Sequence, residues 1–322
     1  GVLMNRRMVL ASGAVITVGA GALVPLLRDS RRRNAQPRAS VSRAYAGLPK
    51  RALPIPKLVD VKPDSPEPMI MQKGQWEIVP GVSTQTVGFN GPYLGPTLRV
   101  RNGEDATLSY TNQWTEAVAV HGHGLHVPGV VDGGPQRLIE PGGSWSPVLP
   151  IRQQAGTSWY HPHTHGESGS QTYQGLAGML IIEDENSRDL PLPKTYGVDD
   201  LPLIIQDRTL GEVGQLVYSL HGADREGFLG EIITVNGIAA AEASVPAGLV
   251  RLRLLNASNA RFYRFRFSDG RTFHKIATEG GFLPEPIPVQ ELVMLPGERN
   301  EIVVDFADGR PTHLVSGSRR DR

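Results

Sequence analysis

The 322-residue chain contains no cysteine. That absence removes disulfide bridges, thiolate zinc sites and thiol catalysis together. A surplus of charge is missing too: 33 Lys and Arg stand against 32 Asp and Glu, a formal net charge of +1. Nothing in that balance favours a nucleic-acid partner. No stretch carries the 3.6-residue apolar period of an amphipathic helix. Glycine (37) and proline (26) are plentiful, which favours short strands and many turns over long helices. At this length the chain has room for two domains of ordinary size.

Histidine is scarce but clustered. Six of the nine lie between His121 and Gly166: His121, His123, His126, His161, His163 and His165. His221, His274 and His313 are scattered. Four of the six form two His-x-His pairs, His121-Gly122-His123 and His161-Pro162-His163. In a β-strand, side chains at i and i+2 share a face. Two such strands brought together set four imidazoles on one small patch, and imidazole suits copper, zinc, iron and nickel. A protonated ring cannot ligate, so binding should weaken as pH falls through ~6.5.

The N-terminus reads as an address. Gly1-Val2-Leu3 precede Met4, the expected start. Arg6-Arg7 then lead into an uncharged run over residues 8–27. This resembles a twin-arginine export signal and implies a periplasmic destination. The run is about long enough to cross a bilayer, so membrane contact is expected only through an uncleaved signal. Ala44-Tyr45-Ala46 offers a small-x-small cleavage site. Residues 1–46 are therefore assigned to the signal region. Residues 47–68, with Pro49, Pro54, Pro56, Pro63 and Pro66, read as an extended linker.

From Met69 onward, short apolar runs alternate with Gly, Pro and Asn. Strands are predicted over 75–79, 97–101, 106–110, 118–120, 146–151 and 178–182. Asn102-Gly103 between two of them is a hairpin signal. A second set covers 201–207, 232–237, 250–256, 262–267 and 302–304. Residues 250–256 alternate as a half-buried strand does. The fold class is all-β, built as sandwiches.

Four segments carry a family likeness. They are His121-Gly122-His123-Gly124-Leu125, Val131-Asp132-Gly133-Gly134-Pro135-Gln136, Trp159-Tyr160-His161-Pro162-His163 and Gly175-Leu176-Ala177-Gly178. In order, spacing and type they resemble the first cupredoxin domain of multicopper oxidases, and Tyr93-Leu94-Gly95-Pro96-Thr97 extends the likeness upstream. The resemblance implies two cupredoxin-like Greek-key β-sandwich domains, 69–185 and 201–322, joined by a linker over 186–200. It implies that the first domain holds half of a trinuclear copper site. His121 would serve the type 2 copper, and His123, His161 and His163 the type 3 pair. Asp132 matches an acidic residue that feeds protons to the cluster. His165 is expected beside the ligands or in the loop, and His126 at the loop's rim. Gly122 departs from the family, where a bulky residue is usual; glycine weakens a strand, so looser ligand positioning is expected.

The second domain resembles the copper-free spacer domain of the same family. Tyr196-Gly197-Val198-Asp199-Asp200, the run 252–259 and Pro296-Gly297-Glu298-Arg299 are similar to the FtsP-like branch, a septal scaffold that has lost its copper ligands. Here all four histidines and Asp132 are kept. The family's third cupredoxin domain, with its type 1 copper cysteine, is absent, and residues 316–322 no longer resemble the family; truncation or a frame change is the expected reason. The function implied is a copper-dependent oxidoreductase that takes single electrons from a phenol, a bilin or a metal ion and reduces molecular oxygen to water. The isolated chain is expected to be inactive. The competing expectation is a copper-free periplasmic scaffold of the cell envelope.

Overall fold

The computed structural model describes residues 14–19, 47–219 and 227–317. Met4, the Arg6-Arg7 pair, the Ala44-Tyr45-Ala46 site, His221 and the tail 318–322 lie outside the described residues. The N-terminal part supplies β1 (Ala14–Gly19), β2 (Arg51–Ala52) and β3 (Leu58–Asp60). Next come β4 (Glu67–Val79), β5 (Val82–Phe89), β6 (Thr97–Arg101), β7 (Asp105–Asn112) and β8 (Val120–His123). They are followed by β9 (Ser144–Trp145), β10 (Val148–Pro150), β11 (Gly156–Pro162), α1 (Ser168–Gln174), β12 (Gly178–Glu183) and α2 (Glu185–Asp189).

The C-terminal part begins with β13 (Asp200–Arg208), β14 (Ile232–Val235), β15 (Ile238–Ala239) and β16 (Ala241–Val245). It continues with β17 (Leu249–Asn256), β18 (Tyr263–Phe267), β19 (Phe273–Thr278) and β20 (Gly281–Val289). The last strands are β21 (Leu292–Met294), β22 (Arg299–Asp305) and β23 (Thr312–Ser316). Among the described residues the architecture is all-β, with two short helices.

Two sheets form the first sandwich. One has the order β10-β7-β4-β5 with β9 on β7, and the other β3-β6-β12-β11-β8. Between them lies a core that includes Met69, Phe89, Leu98, Leu108 and Tyr160. The Asn102-Gly103 turn differs from the expected hairpin, because β6 and β7 belong to different sheets. Leu98 and Val100 of β6 and Ala106, Leu108 and Tyr110 of β7 all enter the one core. The turn carries the chain across the sandwich, which lets the two apolar faces cover each other.

The second sandwich has sheets β15-β14-β13-β17-β22-β19-β20 and β2-β16-β1-β23-β18-β21. Its core includes Leu203, Leu252, Phe265, Ile302 and Phe306. β1 falls in the stretch assigned to the signal. Its backbone lies parallel to β23 and antiparallel to β16. Residues 51–60, read as linker, also form strands: β2 pairs with β16 of the second sandwich and β3 with β6 of the first. Proline keeps this strap extended, and Leu53 and Ile55 pack on the second core.

The two sandwiches share buried surface. Ile78, Tyr93, Trp159 and Met179 of the first form one apolar cluster with Ile204, Ile232 and Leu255 of the second. Beside it lies an ionic layer. Arg253 forks onto Asp200, Nε to Oδ1 at 2.8 Å and Nη2 to Oδ2 at 2.9 Å. Its Nη1 donates to Thr157 Oγ1 at 3.0 Å, and that hydroxyl donates to Glu301 Oε1 at 2.7 Å. Arg251 Nε donates to Glu301 Oε2 at 2.9 Å. This corrects the expectation of a half-buried strand over 250–256. β17 is buried on both faces apart from Leu249, apolar toward its own core and charged toward the ionic layer. Among the described residues, no helix is long and apolar enough to cross a membrane.

Candidate metal centre

β8 and β11 run antiparallel with His161 opposite His121 and Trp159 opposite His123. The period of two then puts Trp159, His161, His121 and His123 on one face. The other face turns Val120 and Tyr160 into the core. Tyr160 is anchored there: its hydroxyl donates to Pro96 O at 2.7 Å. A Cβ on Gly95 or Gly178 would lie 2.2 or 2.1 Å from that hydroxyl oxygen. Two glycines of the family-like segments are thus the socket for the tyrosine that fixes β11.

The rings converge. One ligand nitrogen each from His121, His123 and His161 can be chosen so that all lie within 4.8 Å of one another. Among the described residues this is the one group of its kind. His123 Nδ1 faces His161 Nε2 at 3.0 Å. His161 Nδ1 meets Pro162 O at 2.8 Å and donates to it, which leaves Nε2 with a lone pair. His121 Nδ1 likewise donates to Asp132 O at 2.9 Å, so its Nε2 also keeps a lone pair. The loop that carries Asp132 is drawn against β8 by Gly133, with φ +77° and a Cβ position only 1.7 Å from Val120 O.

His163 comes close without joining the group. Its ring centroid lies 5.2 Å from that of His121 and 6.3 Å from that of His161. Its backbone N–H donates to Ala119 O at 2.7 Å, and Thr164 Oγ1 accepts from Ala119 N–H at 2.9 Å. His126 and His165 are exposed. Gly122 is not a looseness in the strand: a Cβ there would fall 2.6 Å from Leu125 Cδ1. The buried Leu125 side chain takes the room that a bulky residue at 122 would fill.

Electrostatics keep two rings neutral. Burial, with smaller contributions from Arg299, His121 and His163, pushes His123 down to about 4. Burial pushes His161 down to about 3, against a small opposing effect of its bond to Pro162 O. Both rings therefore remain unprotonated well below the pH expected for a free imidazole. Neutral rings with convergent lone pairs are the donor set that copper takes, so the residues present fit that ion.

Two neighbours had no role assigned from sequence. Trp159 packs on His161 at 4.1 Å between ring centroids and on His123 at 5.4 Å. Its place two residues before His161 on a strand could have shown this. Arg299 reaches the cluster from the second sandwich, and no spacing in the sequence links it to the histidines. Asp132 lies with its carboxylate Oδ1 at 3.4 Å from His121 Nδ1.

Residues 70–187 match the family model described as multicopper oxidase. The chain is 42 % identical over 315 residues to cell division protein FtsP of Escherichia coli K12, covering 98 % of this chain and 63 % of that protein. FtsP of Sodalis glossinidius is 45 % identical over 315 residues, with 98 % and 62 % covered. The chain thus spans less than two thirds of these curated relatives. Among solved structures, McoA multicopper oxidase of Aquifex aeolicus superposes with a TM-score of 0.75 at 34 % identity, over 85 % of this chain and 67 % of that one. CueO of Ochrobactrum sp., a laccase-like multicopper oxidase with oxidase activity towards lignin model compounds, gives 0.76 at 36 %, over 84 % and 65 %.

Proposed function

The chain belongs to the multicopper oxidase family, and on that premise we propose that it is the copper-binding part of an oxidoreductase. The convergence of His121, His123 and His161 nitrogens within 4.8 Å supports this reading. Copper, when bound, would supply the one-electron chemistry that couples oxidation of a phenol, a bilin or a metal ion to reduction of oxygen to water. The chain's own residues orient and protonate. His121, His123, His161 and the adjacent His163 would hold the ions, as type 2 and type 3 half-sites. Asp132 O fixes the His121 tautomer by accepting from Nδ1. The half-buried Asp132 carboxylate is the group that would carry protons, at Oδ1 beside that ring. No cysteine is available among the 322 residues to make a type 1 thiolate site. Delivery to the periplasm through Arg6-Arg7 completes the reading, and lysine at both positions should leave the protein in the cytoplasm.

A second reading has its own support, since the FtsP proteins are similar along 98 % of the chain. On that reading the chain is a copper-free scaffold of the division septum. Cu(II) titration calorimetry separates the two. The oxidoreductase reading expects binding by the intact chain, its loss in the double variant His121→Ala/His161→Ala, and its retention in His274→Ala. Copper should also displace zinc at equal concentration, and no intense blue band should form. Equal affinity in the double variant, or no binding at all, overturns the copper reading and leaves the scaffold.

A further inference from the structure

By resemblance the second sandwich is a spacer, yet it delivers a cation to the histidine cluster. Arg299 opens β22 and its side chain is 3 % exposed. Nε donates to Thr157 O on β11 at 3.1 Å, and Nη1 donates to Gly297 O at 3.0 Å and to Glu279 Oε1 at 3.1 Å. The turn before it touches the cluster: a Cβ on Gly297 would sit 3.7 Å from His123 Cε1.

Gly124 shows how close the guanidinium comes. Its φ is +88°, and a Cβ there would lie 2.6 Å from Arg299 Nη2 and 2.8 Å from Ser158 Oγ. The second glycine of His-Gly-His-Gly is therefore the space into which the arginine fits. The Ser158 hydroxyl donates to His123 O from the same side. His123 thus lies between its strand partner Trp159 on β11 and the turn at Gly297 of the other sandwich. Its acidic neighbours cancel this cation only in part: the Glu279 side chain is 48 % exposed, where water screens it, and Glu298 acts on it less than Glu279 does.

We infer that Arg299 is a positioning residue of the histidine cluster, contributed by the second sandwich, which holds His123 and biases the cluster against Cu(II) relative to Cu(I). The inference rests on the copper reading above. A fixed positive charge repels a doubly charged ion about twice as strongly as a singly charged one at the same distance. A merely structural arginine would make a different prediction: every disturbance of the Arg299–Glu279 pair would loosen the site and weaken binding.

The test uses the full chain, with Cu(II) affinity from calorimetry and Cu(I) affinity from competition with a chromophoric chelator under reducing conditions. Arg299→Gln should bind Cu(II) about 3- to 10-fold tighter, and Glu279→Gln about 2- to 5-fold weaker. Arg299→Lys, which keeps the charge, should stay near wild type. In each variant Cu(I) affinity should move less than Cu(II) affinity. Weakening in both neutralised variants, or no change in either, overturns the inference while leaving the copper reading intact. If the wild-type chain binds no Cu(II), the copper reading falls first and the inference with it. Should Arg299→Gln fail to fold, Glu279→Gln decides by its Cu(II) to Cu(I) ratio: Cu(II) binding weakened more than Cu(I) supports the inference, and equal weakening of both ions, or unchanged or tighter Cu(II) binding, overturns it.

Discussion

One strand serves two clusters of titratable side chains, and they are built on opposite plans. Thr157 of β11 joins the ionic layer of Arg251, Arg253, Asp200 and Glu301. Two and four residues on, Trp159 and His161 belong to the histidine patch. The ionic layer is closed. Its side chains are at most 6 % exposed, positive and negative groups alternate, and each is bonded to a neighbour. The histidine patch is open. His123 and His161 are neutral and half-buried, and His121 and His161 spend their Nδ1 protons on backbone carbonyls. His123 Nδ1 then donates to the lone pair of His161 Nε2 at 3.0 Å, a bond between rings that a metal ion could replace. A polar group under the surface must find a partner; the ionic layer finds it within the chain, and the patch leaves a place for something else.

The largest expected effect breaks the closed cluster. Arg253→Ala strips Asp200 of its forked partner and should cost about 3–5 kcal/mol of stability, the range for leaving a buried charge unpaired. Thermal unfolding followed by circular dichroism would show it. His161→Phe puts a slightly larger apolar ring in a half-buried place and removes the polar atoms, so metal-free stability should change by less than about 1.5 kcal/mol. Comparable losses from the two substitutions would mean that the patch is as structural as the ionic layer, and the contrast between them would disappear.

Acid should open the ionic layer from within. Arg253 and Arg251, together with the Thr157 hydroxyl, hold the Glu301 carboxyl below the ordinary range against the opposing effect of its burial. A carboxyl with a folded value below its unfolded one takes up protons more readily in the unfolded chain. Its stabilising contribution is full above the unfolded value, about 4.3, and is lost as pH falls from there through the folded value. Melting temperature should therefore decline steeply below pH ~4.3. In Glu301→Gln that part of the decline should flatten. An unchanged acid slope in the variant would remove Glu301 as its source.

The two clusters also differ in how far sequence exposed them. The histidine pairs sit on adjacent strands at a spacing of two, a local pattern that survives translation into structure. The ionic layer was visible only as Arg251-Leu252-Arg253 alternation, and this reads the same whether the charged face meets water or another sandwich. What covers that face is β11 of the first sandwich, distant in sequence, so burial there had no local signature. Asn102-Gly103 failed for a related reason, because turn chemistry sets the bend but not whether the next strand pairs or crosses the sandwich. In the sequence Arg299 closes the family-like segment Pro296-Gly297-Glu298-Arg299, and its approach to Gly124 spans two domains and follows from no periodicity.

The smallest effect concerns which atom of Asp132 matters to the open cluster. Its backbone carbonyl lies 2.9 Å from His121 Nδ1 and its carboxylate 3.4 Å. The carbonyl is the better acceptor and it is held there by Gly133. In Gly133→Ala the new methyl would overlap Val120 O, 1.7 Å away, in a backbone region that costs an L-residue about 1–2 kcal/mol. The loop must retreat and take the carbonyl with it. Loss of such a ring-orienting acceptor typically weakens metal binding about 10- to 100-fold, and Gly133→Ala should show a loss in that range by Cu(II) calorimetry. Asp132→Asn keeps the carbonyl and a neutral side-chain acceptor, so its affinity should fall by less than about 10-fold. If the order is reversed, with Asp132→Asn the weaker binder, the carboxylate charge rather than the backbone carbonyl sets His121, and the patch depends on an ionic partner after all, as the layer beneath the other end of β11 does.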